Sequence, residues 1–481
     1  MEITELIASE KELEVRAKEL LDKMREHAKL VKSSNASTRI NKLRKLRKSL
    51  LDHQQDIRKA MISAFKKPEL ETDLSEILPV TAHIDHVIHN LIAWMKPEHK
   101  KTPKELLGAF SYVVHEPKGV VLILGPWNYA FNLIFDPLVS AIAAGNCAVI
   151  KPSELTPDAS EIIKKIIKEN FHPDEVSVIE GDANLASVLT HMPFDHIFFT
   201  GSPAVGKLVM KAAAENLTPV TLELGGKSPA IVHHDANIAK VASSIAFGKF
   251  LNTGQTCIAP DYILAHHSIK QKLINEIILK IKSFYGSDLE SIKLSKDFGR
   301  IISDKNFQRI DSYIQEALTS GADLVFGGHS DKNERYIEPT ILTNVSLDSK
   351  IMQEEIFGPV LPILEYSELT QAYEIIDTMP KPLACYIFSE SDKVQQTILA
   401  NTTAGGTTIN ECLLHNFNPH LPFGGVNNSG IGKGRGIYGF QEFSNARAVL
   451  NAKPFIRMSS LLSAPYSKLK YKLVNFILRR L

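Results

Sequence analysis

The sequence predicts an α/β protein built on open, mostly parallel sheets, and three observations predict it. Gly119–Leu124 (GVVLIL) is a short apolar run that stops at Gly125-Pro126, as a strand buried on both faces does. From there, apolar runs of strand length alternate with stretches of helical spacing. The residues able to do chemistry sit just after those runs, where such sheets bind ligands.

Residues 1 to about 66 are rich in Lys, Glu and Leu, and apolar side chains recur every three or four positions, as in Ile40, Leu43, Leu46 and Leu50. That spacing predicts amphipathic helices. After the GVVLIL strand, 133–144 reads as a helix and Cys147–Ile150 as a strand. Glu161–Asn170 reads as a helix, Val176–Ile179 as a strand and His196–Phe199 as a further strand. A second alternating stretch runs from about 224 to 413, with a helix near Ile238–Leu251, a strand at Tyr262–Ala265 and a helix at Gln271–Phe284.

With 481 residues the chain is long enough for two or three domains. Lys+Arg is 55 against Asp+Glu 54, so no whole-molecule field for nucleic acid exists. Four cysteines, Cys147, Cys257, Cys385 and Cys412, lie far apart without CxxC spacing. That argues against a disulfide framework and for a reducing compartment, expected to be the cytoplasm. The N-terminus carries no apolar signal region, and no run of about 18 apolar residues predicts a membrane span.

Three patterns invite a ligand and resist it. Gly201-Ser-Pro-Ala-Val-Gly206-Lys207 is nearly a phosphate loop of ATPases, but Leu208 lacks the hydroxyl that would hold Mg²⁺. The loop still offers backbone N–H groups to an anion, or is a plain connection. Gly434-Arg-Gly436-Ile-Tyr-Gly439 matches GxGxxG, but it follows a glycine-rich loop rather than a strand and reads as chance. His83, His86 and His89 lie one per helical turn without an acidic or Cys partner, so they read as a solvated helix face and no metal is expected.

Four loops carry candidate chemistry. Cys257, in Gly254-Gln255-Thr256-Cys257, follows a predicted helix, with Gly254 in a C′ position. It is a reactive thiol or a tolerated loop cysteine; Cys147 and Cys385 sit in apolar runs and read as buried, and Cys412 is ambiguous. Glu223 ends an apolar stretch before two glycines, either as a general base raised by burial or as a surface carboxylate. Asn128 is an amide donor for an oxyanion or an ordinary loop Asn. Lys151 and Glu154 could grip ribose hydroxyls, or form an exposed ion pair worth about 0–1 kcal/mol.

Together and in this order, PWN (126–128), KPSE (151–154), FTGS (199–202), ELGGKSP (223–229), GQTC (254–257), EEIFGP (354–359) and LPFGGVNNSG (421–430) resemble the aldehyde dehydrogenase superfamily over nearly the whole chain. NYAFN, QTCIAPDY and LPFGGVNNSGIGKG look most like its class 3 or fatty-aldehyde branch, with Ala130 where that branch often carries Pro. The resemblance implies a Rossmann-type cofactor domain (1–96 and 116–222), a second α/β catalytic domain (223–413), a small bridging and oligomerisation element (97–115 and 414–453) and a tail (454–481). It implies NAD as cofactor, with NADP left open, and a homodimer. It further implies that the Cys257 thiolate attacks an aldehyde and that Asn128 and the Cys257 N–H bind the oxyanion. Hydride passes to the nicotinamide, and Glu223 activates water to hydrolyse the thioester. Lys151 and Glu154 would hold the adenosine ribose. Gly201, Ser202 and Val205 would lie along adenine and pyrophosphate. Glu355 and Phe357 would position the nicotinamide ribose and ring, and Leu124, Trp127, Leu224 and Gly225 complete the cofactor site. A carboxylate at Glu154 favours NAD, because it repels a 2′-phosphate. Glu223 argues against a relative that passes the acyl group to coenzyme A. The presence of Cys257, Asn128 and Glu223 together argues against a non-catalytic one.

Residues 466–481 (YSKLKYKLVNFILRRL) place Leu469, Leu473, Ile477 and Leu481 every fourth residue among Lys and Arg. This reads as an interfacial helix in peripheral contact with lipid, or as a helix packed on protein. Hydrophobic C-terminal extensions occur in the fatty-aldehyde branch that the chain resembles. The aldehyde's chain length is not legible here.

Overall fold

The computed structural model describes residues 10–106, 108–452 and 463–479. Two sheets dominate it. The first has six strands in the order Gly430–Ile431, Val220–Glu223, His196–Thr200, Val120–Leu124, Cys147–Lys151, Val176–Val178. All neighbours are parallel except Gly430–Ile431, which runs antiparallel to Val220–Glu223. The period of two explains the apolar reading of GVVLIL: Val121 and Ile123 enter one core, while Val120, Leu122 and Leu124 enter the core on the opposite face.

Residues 10–94 do not form a separate bundle. Helix Ala36–Asp52 buries Ile40, Leu43, Leu46 and Leu50 in the core that also holds Val121 and Ile123. Helix Leu78–Trp94 shares that core through Ile84, Val87 and Leu91. On this helix the sequence reading of a solvated histidine face fails at His83. His83 is buried, its Nδ1 lies 2.8 Å from Asp136 Oδ1, and its Nε2 accepts the Gly436 N–H at 3.0 Å. His86 stacks edge-on against His420, and only His89 is exposed. Spacing alone gives the shared face but not which part of it another element covers.

The second sheet has seven strands in the order Asp323–Phe326, Thr340–Thr343, Val360–Tyr366, Tyr262–His266, Pro229–Val232, Ala384–Phe388, Gly406–Ile409. Only Asp323–Phe326 is antiparallel to its neighbour. Cores cover both faces, with Ile263 and Ala265 on one and Tyr262 and Leu264 on the other. A third sheet of Glu98–Lys100, Ala109–Pro117 and Ser444–Ala452 is antiparallel and largely exposed.

Candidate active site

In the first sheet the chain winds outward from Val120–Leu124 through Cys147–Lys151 to Val176–Val178. It then returns to place His196–Thr200 on the other side of Val120–Leu124. This reversal is the topological switch point at which doubly wound sheets open a ligand crevice beyond their strand ends. A cleft of about 470 Å³ lies there. Trp127, Asn128, Gly201, Ser202, Glu223, Leu224, Gly225, Cys257, Glu355 and Phe357 line it. Leu124, Lys151, Glu154 and Val205 are not among its lining residues, although Leu124 and Lys151 are register partners at adjacent strand ends.

The Cys257 loop is held by backbone strain and by buried polar bonds. Helix Ile238–Phe250 stops four residues before Gly254, so Gly254 is not its C′ residue. Instead Asn252, Thr253 and Gly254 are all left-handed, with φ of 54°, 56° and 74°. Two such non-glycine residues in succession are costly and persist only when their surroundings fix them. At Gly254 a Cβ would stand 2.2 Å from the Gly358 carbonyl oxygen, so the turn requires glycine. Gln255 is fully buried and satisfied: its Nε2 donates to Asn252 O and Arg300 O, and its Oε1 accepts from Ile302 N. Asn252 Nδ2 donates to Asn128 O and Gln255 O, and Asn128 Nδ2 donates to Gln255 O at 3.1 Å. The amide of Asn128 is thereby held beside the Cys257 loop with its second N–H unused by this bond.

Cys257 is half-buried and lines the cleft, while Cys147, Cys385 and Cys412 are buried. Burial pushes the Cys257 thiol up to about 12, with the charges of Glu355 and Glu223 adding to it. Burial raises Cys147 and Cys385 to about 12 as well. Titration therefore does not single out Cys257; access to the cleft does. Its own backbone N–H lies against its sulfur. The ambiguity at Cys412 resolves to a packed thiol, because a Cβ on Gly248 would stand 2.7 Å from the Cys412 Cβ.

Glu223 ends the strand Val220–Glu223 of the first sheet and is buried, which raises its carboxyl to about 8. Arg435 and Lys433 pull it back down and Asp136 adds to the rise. A carboxyl at that value exchanges protons near neutrality, as a general base must. Glu355 is also raised to about 8, first by burial and then by Asp261. Gly225 lets it in: a Cβ there would stand 2.1 Å from Glu355 Oε2.

On the cofactor side, Ser202 caps the helix Pro203–Ala214 by accepting from Val205 N and Gly206 N; Pro203 has no N–H, so Ala204 N, on a residue that lines the cleft, is the first-turn donor left for a ligand. Thr200 Oγ1 is buried at the strand end without a partner. A dinucleotide fits both features: its phosphate suits the helix N-terminus and its oxygens the free hydroxyl. Lys151 is buried and its Nζ lies 2.7 Å from Glu154 Oε2, while Glu154 is exposed. Phe357, at a left-handed φ of 47°, meets the Trp127 ring edge-on at 5.5 Å.

Several supporting residues escaped sequence reading. Lys227 and Asp261 form a buried ion pair; Lys227 Nζ donates to Ile351 O and Glu354 O, and Asp261 Oδ1 accepts from Ile356 N. They fasten the Glu354–Phe357 loop to the second sheet. Both fall inside segments quoted above, so a buried Lys beside a glycine pair was the available signal. Glu71 Oε1 accepts from Asn252 N, and the buried Lys67–Glu76 pair accepts from Phe131 N and Asn132 N through Glu76 Oε2. These come from distant helices and left no local signal.

A doubly wound cofactor sheet, a second α/β sheet and a thiol, amide and carboxyl around one cleft define the class of pyridine-nucleotide-dependent enzymes that oxidise carbonyl substrates through a cysteine. The chain belongs to the aldehyde dehydrogenase family, whose model matches residues 4–449. It is 45% identical over 443 residues to the 4,4'-diaponeurosporen-aldehyde dehydrogenase of Staphylococcus aureus, covering 92% of this chain and 95% of that one. It is 42% identical over 435 residues to aldehyde dehydrogenase family 3 member A2 of Macaca fascicularis, covering 90% and 86%. It is 43% identical to the dimeric NADP-preferring aldehyde dehydrogenase of Mus musculus over 412 residues, covering 86% and 89%. Among solved structures, the substrate-bound state of Staphylococcus aureus AldH superposes with a TM-score of 0.90 at 43% identity, covering 95% of this chain and 99% of that one. The chain is an NAD(P)-dependent aldehyde dehydrogenase of the class 3-like branch.

Proposed function

We propose the following division of labour for the oxidation of an aldehyde to its carboxylic acid. The observation that carries it is the meeting of Cys257, Asn128 and Glu223 on one cleft from three separate segments. Cys257 Sγ bonds to the carbonyl carbon and gives a thiohemiacetal oxyanion. The free N–H of Asn128 and the Cys257 backbone N–H stabilise that oxyanion. The thiol proton leaves to solvent through the cleft as Sγ attacks, and it is the proton released in the net oxidation; the proton Glu223 later takes from water returns to the departing sulfur. A bound nicotinamide supplies the hydride acceptor, and Cys257 is left as a thioester. Glu223 takes a proton from water, the hydroxide adds to the thioester, and the acid departs as the thiol re-forms.

Gly201, Ser202 and Val205 take the adenine and pyrophosphate end. Lys151 and Glu154 hold the adenosine ribose. Glu355 and Phe357 set the nicotinamide ribose and ring, Trp127, Leu224 and Gly225 close the walls, and Leu124 shares the core with Leu224. The Lys151 ammonium offsets the Glu154 carboxylate, so its repulsion of a 2′-phosphate is weakened and NADP is accepted beside NAD. The substrate is a medium- or long-chain aliphatic or aromatic aldehyde, met by the apolar side chains next to Cys257, Leu413 and Phe423 among them. A homodimer forms through the exposed edge strand Ser444–Ala452. The cytoplasm suits its four unpaired thiols.

The test of the division is Glu223→Gln. The variant releases one equivalent of NADH in a burst and then stalls, with steady-state turnover down about 10²–10⁴-fold. A variant that turns over at the parent rate removes Glu223 from the reaction.

A further inference from the structure

The GxGxxG match at residues 434–439, set aside above as a dinucleotide signal, places Arg435 in the wall of the aldehyde-side cavity, which Cys257 also lines. We propose that Arg435, with Asn132 and Asn416, is a specificity site that holds a second oxygen function of the substrate. The substrates it selects are aldehydes carrying a hydroxyl away from the carbonyl, with the carboxylate analogue the arm that separates the Arg435 charge from the amide oxygens. This rests on the assignment of Cys257 as the nucleophile.

Arg435 is only 7% exposed and Asn132 only 5%. The guanidinium lies with Cζ 4.9 Å over the Phe423 ring and Nε 3.7 Å from Asp136 Oδ2. That Asp136 spacing balances charge but is too long for a hydrogen bond, and Nε is buried without a partner. Asp136 is itself engaged by His83, whose Nδ1 is 2.8 Å from its other oxygen. A guanidinium carries five N–H donors in a planar fork, and leaving even the Nε–H unmet in a buried site is costly. The acceptors beside it are also unmet. Asn132 Oδ1 and Asn416 Oδ1 are buried without partners, and Asn132 Nδ2 is committed to Ser75 O at 3.0 Å. A wall with a cationic donor and two free amide oxygens, set among Leu413, Phe423 and Tyr129, matches a group that both accepts and donates, as a hydroxyl does, and not a methyl terminus; a carboxylate would meet Arg435 but has no hydrogen for the amide oxygens.

The experiment measures kcat/KM for an n-alkanal, its ω-hydroxy analogue and its ω-carboxylate analogue of the same carbon number, over several chain lengths. In the parent, the ω-hydroxy aldehyde at its best length exceeds the alkanal about 10- to 100-fold, as one charge-assisted hydrogen bond provides. Arg435→Met collapses that ratio towards unity, and Arg435→Lys, which keeps the charge but loses the fork, restores part of it. Asn132→Leu reads the same ratio should Arg435→Met not fold. A parent ratio near unity at every length, or a ratio that survives both Arg435→Met and Asn132→Leu, overturns the proposal and assigns these groups to water. Retained oxidation of these aldehydes by Cys257→Ala would count instead against Cys257 as nucleophile, whatever the ratio at Arg435.

Discussion

A carboxyl raised to about 8 is mostly protonated at pH 7, so Glu223 is a base only in the minority of molecules at that pH. The sign follows directly: the active form is the carboxylate, and its population grows as pH rises. Hydrolysis of the Cys257 thioester should therefore climb nearly tenfold per pH unit below about 8 and level off above it. Pre-steady-state deacylation measured against pH checks this, and a flat profile between pH 6 and pH 8 (a range of roughly two units around the operating pH) excludes Glu223 as the titrating group. Burial is the main cause of the shift, and the charges of Arg435 and Lys433 restrain it. Burial raises the Cys257 thiol no further than it raises Cys147 and Cys385 in other cores, so access to the cleft is what sets Cys257 apart.

At the scale of elements, the Gly225-Gly226 turn brings the Glu355 loop against the end of Val220–Glu223. Gly225→Ala inserts a methyl where Glu355 Oε2 would be 2.1 Å away. The carboxylate has to move, so KM for NAD should rise about tenfold or more while the protein stays folded, a loss of at least ~1.4 kcal/mol of cofactor binding. Titration of the variant with NAD measures it; an unchanged KM would mean that Glu355 does not position the cofactor. The elements of the first sheet were legible because a strand buried on both faces reads as a continuous apolar run, and Val120–Leu124, Cys147–Lys151 and His196–Thr200 all do. The ends were less so: the helix taken to start at Glu161 begins at Pro157, where proline suits the first helical turn. The site loops were legible as motifs but not as geometry. Nothing local in the sequence shows that Asn252 and Thr253 are left-handed, or that Glu71, some 181 positions away, holds Asn252. His83 was misread for the same reason: its partner Asp136 lies on another helix.

At the scale of the whole molecule, the first sheet supplies Glu223 and the second, with its loops, supplies Cys257 and Glu355, so the proposed reaction depends on both sheets holding their places. Helix Lys468–Leu478 keeps Leu469, Leu473, Phe476 and Leu478 largely exposed, and among the described residues no helix is long and apolar enough to cross a membrane. Residues 453–462, Arg480 and Leu481, and the side chain of Ile477, lie outside the described residues. Removing residues 466–481 should lower cosedimentation with anionic vesicles or shift preference away from long-chain aldehydes; if neither changes, the tail is only structural. The central claim remains that one thiol carries the reaction. Cys257→Ala, assayed for aldehyde-dependent NADH formation with the fold confirmed by cofactor binding, tests it most directly. The account predicts loss of oxidation to background with NAD still bound; undiminished oxidation in the folded variant would contradict it.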